Sequence, residues 1–306
     1  LSTTNREQVE NEVYIGMFRP EQGKDPRWYG NLKRYQLALF NGVAELADVN
    51  YSAAINTLTG FPNDCAESFW TEHSSGYWAN LGVSPSVESQ CSSLNASDPN
   101  EVYSDLPDGP FVEKGGVGQQ VRKLASGASR TLYTGDPSDL VLLSTRDPSV
   151  LGGATVYSFL IGDTQGNGES ANPNASAGLD RPSVHGDVVH SRPLSVRYDD
   201  DSVVIYYGAN DGFFRAVDTS NGTEKWAFLA PEHHGKIKRL YDDEPLIKYE
   251  GVLVDPDDAT AEPKDYFFDG PTGYHVEYDD ANDLASGDVG DLEYAYIYPT
   301  MRRGGR

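Results

Sequence analysis

The stretch YDDANDLASGDVGD, residues 278–291, gathers side chains suited to a hard cation. Calcium takes about six to eight oxygen ligands, and a loop supplies them when carboxylates and amides fall at alternate positions. With Asp280 at position 1 of a calcium-loop frame, Asn282 falls at 3, Asp288 at 9 and Asp291 at 12. Leu284 fills position 5, and Ala285 stands where the frame wants a glycine. The competing reading is a solvated acidic turn. A second stretch, DTQGNGE at 163–169, sets Asp163, Gln165 and Asn167 before Gly168, with little ligand charge.

Other reactive side chains are sparse. Cys65 and Cys91 lie 26 apart in one loop-rich region. A disulfide there would stabilise the fold by roughly 3–4 kcal/mol in the loop-entropy account and would imply an oxidising compartment. Two free thiols, or half of a metal site with His73, are the alternatives. His185 and His190 bracket GDVVH, and His233 and His234 follow WAFLAPE, without an H-E-x-x-H pattern or a close Cys/His group. Ser191 lacks the G-x-S-x-G setting of a nucleophile elbow. These residues read as structural, and Trp226 in EKWAF reads as a packing residue rather than a ligand platform.

The net charge of −23 and pI near 4.5 would repel nucleic acid and anionic membranes. No apolar run approaches the roughly 18 residues of a bilayer span. The ends, LSTTNREQVENE and MRRGGR, suggest a segment of a longer processed protein.

Strand patterns must position these residues. NEVYIGMF (11–18), NLKRYQLALF (31–40) and VAELADV (43–49) alternate or run apolar, with a turn at Asn41-Gly42. Residues 50–128 form a long irregular insertion, with an FW and a YW pair and a short helix near VGQQVRKLAS. Strand signals resume in SRTLYT, DLVLLST and ATVYSFLIG, and a polar linker occupies about 163–182. VVIYYGANDGFFRAVDTSNGTEKWAF, residues 203–228, then writes strand, NDG turn, strand, SNG turn, strand, with Arg215 mid-strand. It echoes the first meander, and IKYEGVLVD, DYFFDG and YHVEY suggest a third. Repeated meanders of this length predict an all-β fold: a β-propeller with quinoprotein-like blades, incomplete in this chain, 1–306 forming part of one domain. An irregular sandwich is the alternative.

Three strings carry a resemblance: IGMFRPEQGKDPRWYGNLKRYQL (15–37), GDVVHSRPLSV (186–196) and VVIYYGANDGFFRAVDTSNGTEKWAFLAPEHHGKIKRL (203–240). With the closing AYIYPTMRRGGR (295–306), they resemble the propeller domain of the PilY family of bacterial type IV pilus biogenesis and tip-adhesin proteins. The likeness covers most of 11–49 and 183–306 and thins across 50–180. It implies a modified propeller with calcium-loop insertions, secreted to the cell surface at the pilus tip. There it would meet minor pilins, support pilus assembly and contact surfaces or host receptors, without enzymatic activity. Relatives commonly carry a D-x-N-x-D-G loop near 280, so the loop in this chain is an eroded copy. In the same terms, His190 and Ser191 would hydrogen-bond neighbouring blades.

Two rival functions remain open. One is a structural component of a surface filament or layer. The other is a quinoprotein dehydrogenase, whose blades share the G-x-N-D-G and W-x-F pattern but which carries adjacent cysteines beneath its quinone. If the acidic loop binds calcium, the ion should raise the melting temperature modestly, and Asp280→Ala should abolish the rise. Identical melting in calcium and chelator would leave only the solvated turn.

Overall fold

A computed structural model describes residues 11–21, 23, 25–74, 78, 91, 103–124, 130–136, 139–164, 166–169, 181, 183–198, 202–248, 260–278 and 292–305. The fold is predominantly β. Strands β1 (Glu12–Arg19), β2 (Tyr29–Phe40) and β3 (Val43–Ala47) make an antiparallel sheet. The β2–β3 turn is the Asn41-Gly42 pair read from sequence, both residues at positive φ.

A six-stranded sheet runs β5 (Leu140–Leu142), β4 (Leu132–Gly135), β9 (Glu224–Leu229), β8 (Phe213–Asp218), β7 (Val203–Gly208) and β6 (Leu194–Arg197). Its last four strands form an antiparallel meander, joined through a parallel β9–β4 pair to the β4–β5 hairpin. A two-stranded sheet pairs β10 (Gly273–Tyr278) with β11 (Leu292–Tyr298). Among the described residues these three sheets do not close a ring.

Both faces of the meander are buried, which is why β7 and β8 read as nearly continuous apolar runs. Val204, Tyr206, Phe214, Ala216 and Phe268 pack on one side, beneath the β10–β11 hairpin. On the other side, Ile205, Tyr207 and Val217 meet Leu32 of β2, while Phe213, Ala227 and Leu229 meet a helical layer.

That layer corrects one expectation. ATVYSFLIG, read as a strand, contains helix α2 (Ala154–Ile161), packed beside α3 (His234–Asp242). A short apolar run does not distinguish strand from buried helix by periodicity. Here the burial of Val156, Phe159 and Leu160 follows helical spacing, and Gly162 ends the helix in the left-handed region at φ 99°. DLVLLST likewise keeps only a three-residue strand before a 3-10 turn, and DYFFDG is not a strand.

The described parts of 50–128 carry helix α1 (Gly116–Lys123), in the VGQQVRKLAS stretch, amid irregular backbone. They are packed into the core: Trp70, Val117 and Val121 join Leu32. The buried amide of Asn31 accepts from Gly118 N at 2.8 Å and donates to Gly115 O at 2.9 Å and Val112 O at 3.0 Å. A β2 side chain thus caps α1, which has no side-chain cap of its own. Cys65 and Cys91 are joined in a disulfide, so neither is available to a metal with His73.

At Gly30, β2 lies tight against the irregular segment 183–191 that leads into β6. A Cβ there would lie 2.0 Å from Gly186 O and 2.3 Å from Asp187 Cα, backbone atoms that cannot step aside. Gly30→Ala should therefore cost about 1–3 kcal/mol in urea unfolding. Wild-type stability in that variant would show that β2 and the 186–187 backbone are not held this closely.

Candidate functional site

Two strings picked out by sequence meet in space. In GDVVH, Gly186 N donates to Asp211 Oδ2 at 3.2 Å, and Asp187 O accepts from Asn210 N at 2.9 Å. Asn210 Nδ2 donates to Asp187 Oδ2 at 2.7 Å, while its Oδ1 accepts from Phe267 N at 3.0 Å. The NDG turn between β7 and β8 is thereby fastened to the segment entering β6, and Tyr29 of β2 bridges to Gly186.

Beneath the turn lies a buried charge seam. Arg215, 0% exposed, donates from Nη1 to Asp211 Oδ1 at 3.0 Å and from Nε to Glu224 Oε2 at 3.0 Å. Arg130 closes on Glu224 from its other side, Nε to Oε1 at 2.8 Å and Nη2 to Oε2 at 3.0 Å. Burial opposes ionisation of Asp211, but the adjacent Arg215 guanidinium outweighs it and brings its pKa down to about 2. Burial likewise opposes charge on Glu224, and Arg130 and Arg215 together leave its pKa lowered. Removing one partner would leave an uncompensated buried charge, at about 3–5 kcal/mol.

His185 completes the inner layer. Its Nδ1 lies 2.7 Å from Gly186 O and its Nε2 2.7 Å from the Tyr207 hydroxyl. A carbonyl only accepts, so Nδ1 carries the proton and Nε2 accepts from Tyr207 in the neutral ring. Burial, reinforced by Arg215, lowers the His185 pKa to about 4.

Outside the seam a small cleft opens between Trp28, Tyr29, Phe159, Arg27, Arg181 and Glu169. Arg181 pairs with Glu169 at 3.1 Å and lies over the Phe159 ring, 3.7 Å from its centroid. Arg27 reaches Asp243 Oδ2 at 3.1 Å and donates to Leu240 O at 2.8 Å. Burial raises the Asp243 pKa to about 6, against the pull of Arg27. Asp211, Glu224, Glu169 and Asp243 are each paired with guanidinium and Asp187 with the Lys264 ammonium, and His185 faces a tyrosine rather than a serine or thiol. This arrangement supports tight packing.

Of the calcium candidates, Asp280, Asn282, Asp288 and Asp291 lie outside the described residues. In the 163–169 loop, Gln165 also lies outside the described residues, and the Asn167 side-chain amide donates to Asp242 O at 3.1 Å. Among the described residues no three His, Cys, Asp or Glu side chains group to hold a metal, and no helix is long and apolar enough to cross a membrane.

His190 reaches Asp269 at 2.7 Å, and Ser191 Oγ accepts from Gly208 N at 2.8 Å. Trp226 packs against Tyr206 and Phe214. The residues that sequence reading missed are Arg130, Glu224, Asp211 and the Arg181–Glu169 pair. Glu224 in TEKWAF, like Arg215 in GFFRAVD, signals itself as charge inside an apolar strand pattern, whereas Glu169 and Arg181 lie in the polar 163–182 stretch and carry no such signal. Comparison with known protein families, curated proteins and solved structures finds no match to this chain.

The pH response follows from these groups. His185, and His233, whose pKa burial also lowers to about 4, bind fewer protons folded than unfolded between pH 6.5 and 4. Each contribution is complete above pH 6.5 and is lost as pH falls toward 4, on the order of 3 kcal/mol apiece. Asp243 acts oppositely: it takes up its proton earlier when folded, so its effect favours folding as pH falls from 6 to 3.8. His185→Gln should flatten the fall in stability between pH 6.5 and 4, and Asp243→Asn should steepen it. Unchanged slopes in urea titrations of both variants would refute these assignments.

Proposed function

We propose that the chain is part of the β-propeller domain of a PilY-like protein. Such a protein is a secreted, non-enzymatic type IV pilus adhesin and assembly factor that binds minor pilins and surfaces at the pilus tip. The observation that carries this reading is the interlock between the strings that bear the resemblance. GDVVHSRP is fastened to the NDG turn of the four-stranded meander, and WAFLAPEHHGKIKRL supplies β9 and the start of α3. Lys236 of α3 in turn donates to Gly304 O at 2.8 Å, within RRGGR. Strings that resemble one family and pack on one another favour inheritance as a unit over chance likeness.

In this reading β6–β9 is one propeller blade, and calcium belongs with Asp280, Asn282, Asp288 and Asp291. A quinoprotein dehydrogenase is less well supported: its cysteines would be neighbours in sequence, whereas Cys65 and Cys91 are 26 apart and bonded to each other. A structural filament component shares every feature described and differs only in where the protein sits.

Immunogold electron microscopy of intact cells, with antibody raised against residues 183–306, separates these. Gold at fibre ends is expected. Gold along fibres or over the envelope would overturn the tip assignment in favour of the structural component.

A further inference from the structure

The β10–β11 hairpin has two dissimilar faces. Val276, Leu292, Ala295 and Ile297 turn inward and pack on the cluster around Phe214 and Phe268. The outward face of β11 carries Tyr294, Tyr296 and Tyr298, which are 52%, 42% and 53% exposed. Alternate strand positions share a face, so these rings form a row with steps of about 7 Å. Across from them on β10, His275 stacks on Tyr296 at 6.1 Å, and Glu277 stands opposite Tyr294. Gly273 faces Tyr298 and adds no side chain beside that ring.

We propose that this outer face docks a lysine- and arginine-rich segment of a partner protein, through cation–π contact with the tyrosine row and charge pairing at Glu277. The inward packing anchors the hairpin, so the rings are presented by a supported sheet and little ordering accompanies binding. Charge selects the occupant. Residues 273–298 contain no lysine or arginine, and the whole chain carries −23. A second copy or an anionic membrane would bring like charge to the face, whereas a cationic segment finds both the negative ring faces and the surrounding acid attractive. The inference rests on this sheet face alone and stands independently of the pilus assignment.

The test is fluorescence anisotropy of a fluorescein-labelled peptide of alternating arginine and serine, titrated with the 306-residue chain. Because an acidic protein attracts polycations at many points, the tyrosine variants carry the decision. Tyr294→Ala with Tyr298→Ala should weaken binding about tenfold, equal to about 1.4 kcal/mol. Tyr294→Phe with Tyr298→Phe, which keeps the rings, should stay within about twofold. A peptide with citrulline for arginine should bind about tenfold more weakly to the wild-type chain.

If the alanine pair lowers the melting temperature, the citrulline comparison and the phenylalanine pair decide. Wild-type affinity in the alanine pair, or equal binding of the citrulline peptide, would overturn the proposal. Self-association in sedimentation that the phenylalanine pair retains and the alanine pair loses would instead assign the face to a second copy. Tighter binding of a neutral hexasaccharide to the same tyrosines would assign it to a glycan.

Discussion

A guanidinium with no exposed surface, at the centre of a β-sheet, must find counter-charge within reach of its fixed fork of donors. Arg215 meets that demand with Asp211, from the turn before its own strand, and Glu224, from the start of the next. Glu224 then requires Arg130, whose Nη1 donates to Ile161 O at 3.2 Å beside the end of α2. One buried charge thus couples the NDG turn, β8, β9, the residues leading into β4 and a helix. Replacing such a seam by apolar residues of similar volume can be energetically neutral, so its value here lies in fixing which elements adjoin.

The second constraint is the close apposition of the 183–191 segment to everything around it. Gly186 touches β2 and the NDG turn through backbone atoms, Asp187 pairs with Lys264 at 3.1 Å, and Ser191 holds β7. Lys264 also lies over the Trp28 ring, 4.6 Å from its centroid, on the chain leading into β2. The three-stranded sheet, the meander and the 264–269 strip therefore meet along one irregular strand. The cleft lies beside it, because irregular backbone leaves room that regular packing would fill.

These constraints leave different surfaces free for binding. The cleft is walled by arginines that are already paired, which favours shape over charge in anything it admits. The β10–β11 face is different: its rings are about half exposed, and its inner residues pack on the core.

The meander and its two turns were legible in the sequence because Asn-Gly and Asp-Gly reversals and strand alternation are local properties, decided within a few residues. The helical state of ATVYSFLI was not, since an apolar run of that length suits a buried strand or a buried helix, and only the packing of Phe159 against Tyr241 and the Arg181 guanidinium selects one. Arg215 was visible as a charge in an apolar strand, yet its partners were not. Glu224 lies close by in sequence, but Arg130 is 94 residues distant from Glu224, a separation that no local pattern encodes. The sequence by itself determined the strands of the meanders, their turns and the chain's acidity. Only the tertiary structure decided which buried charges neutralise one another, because that pairing depends on distances set by the whole fold.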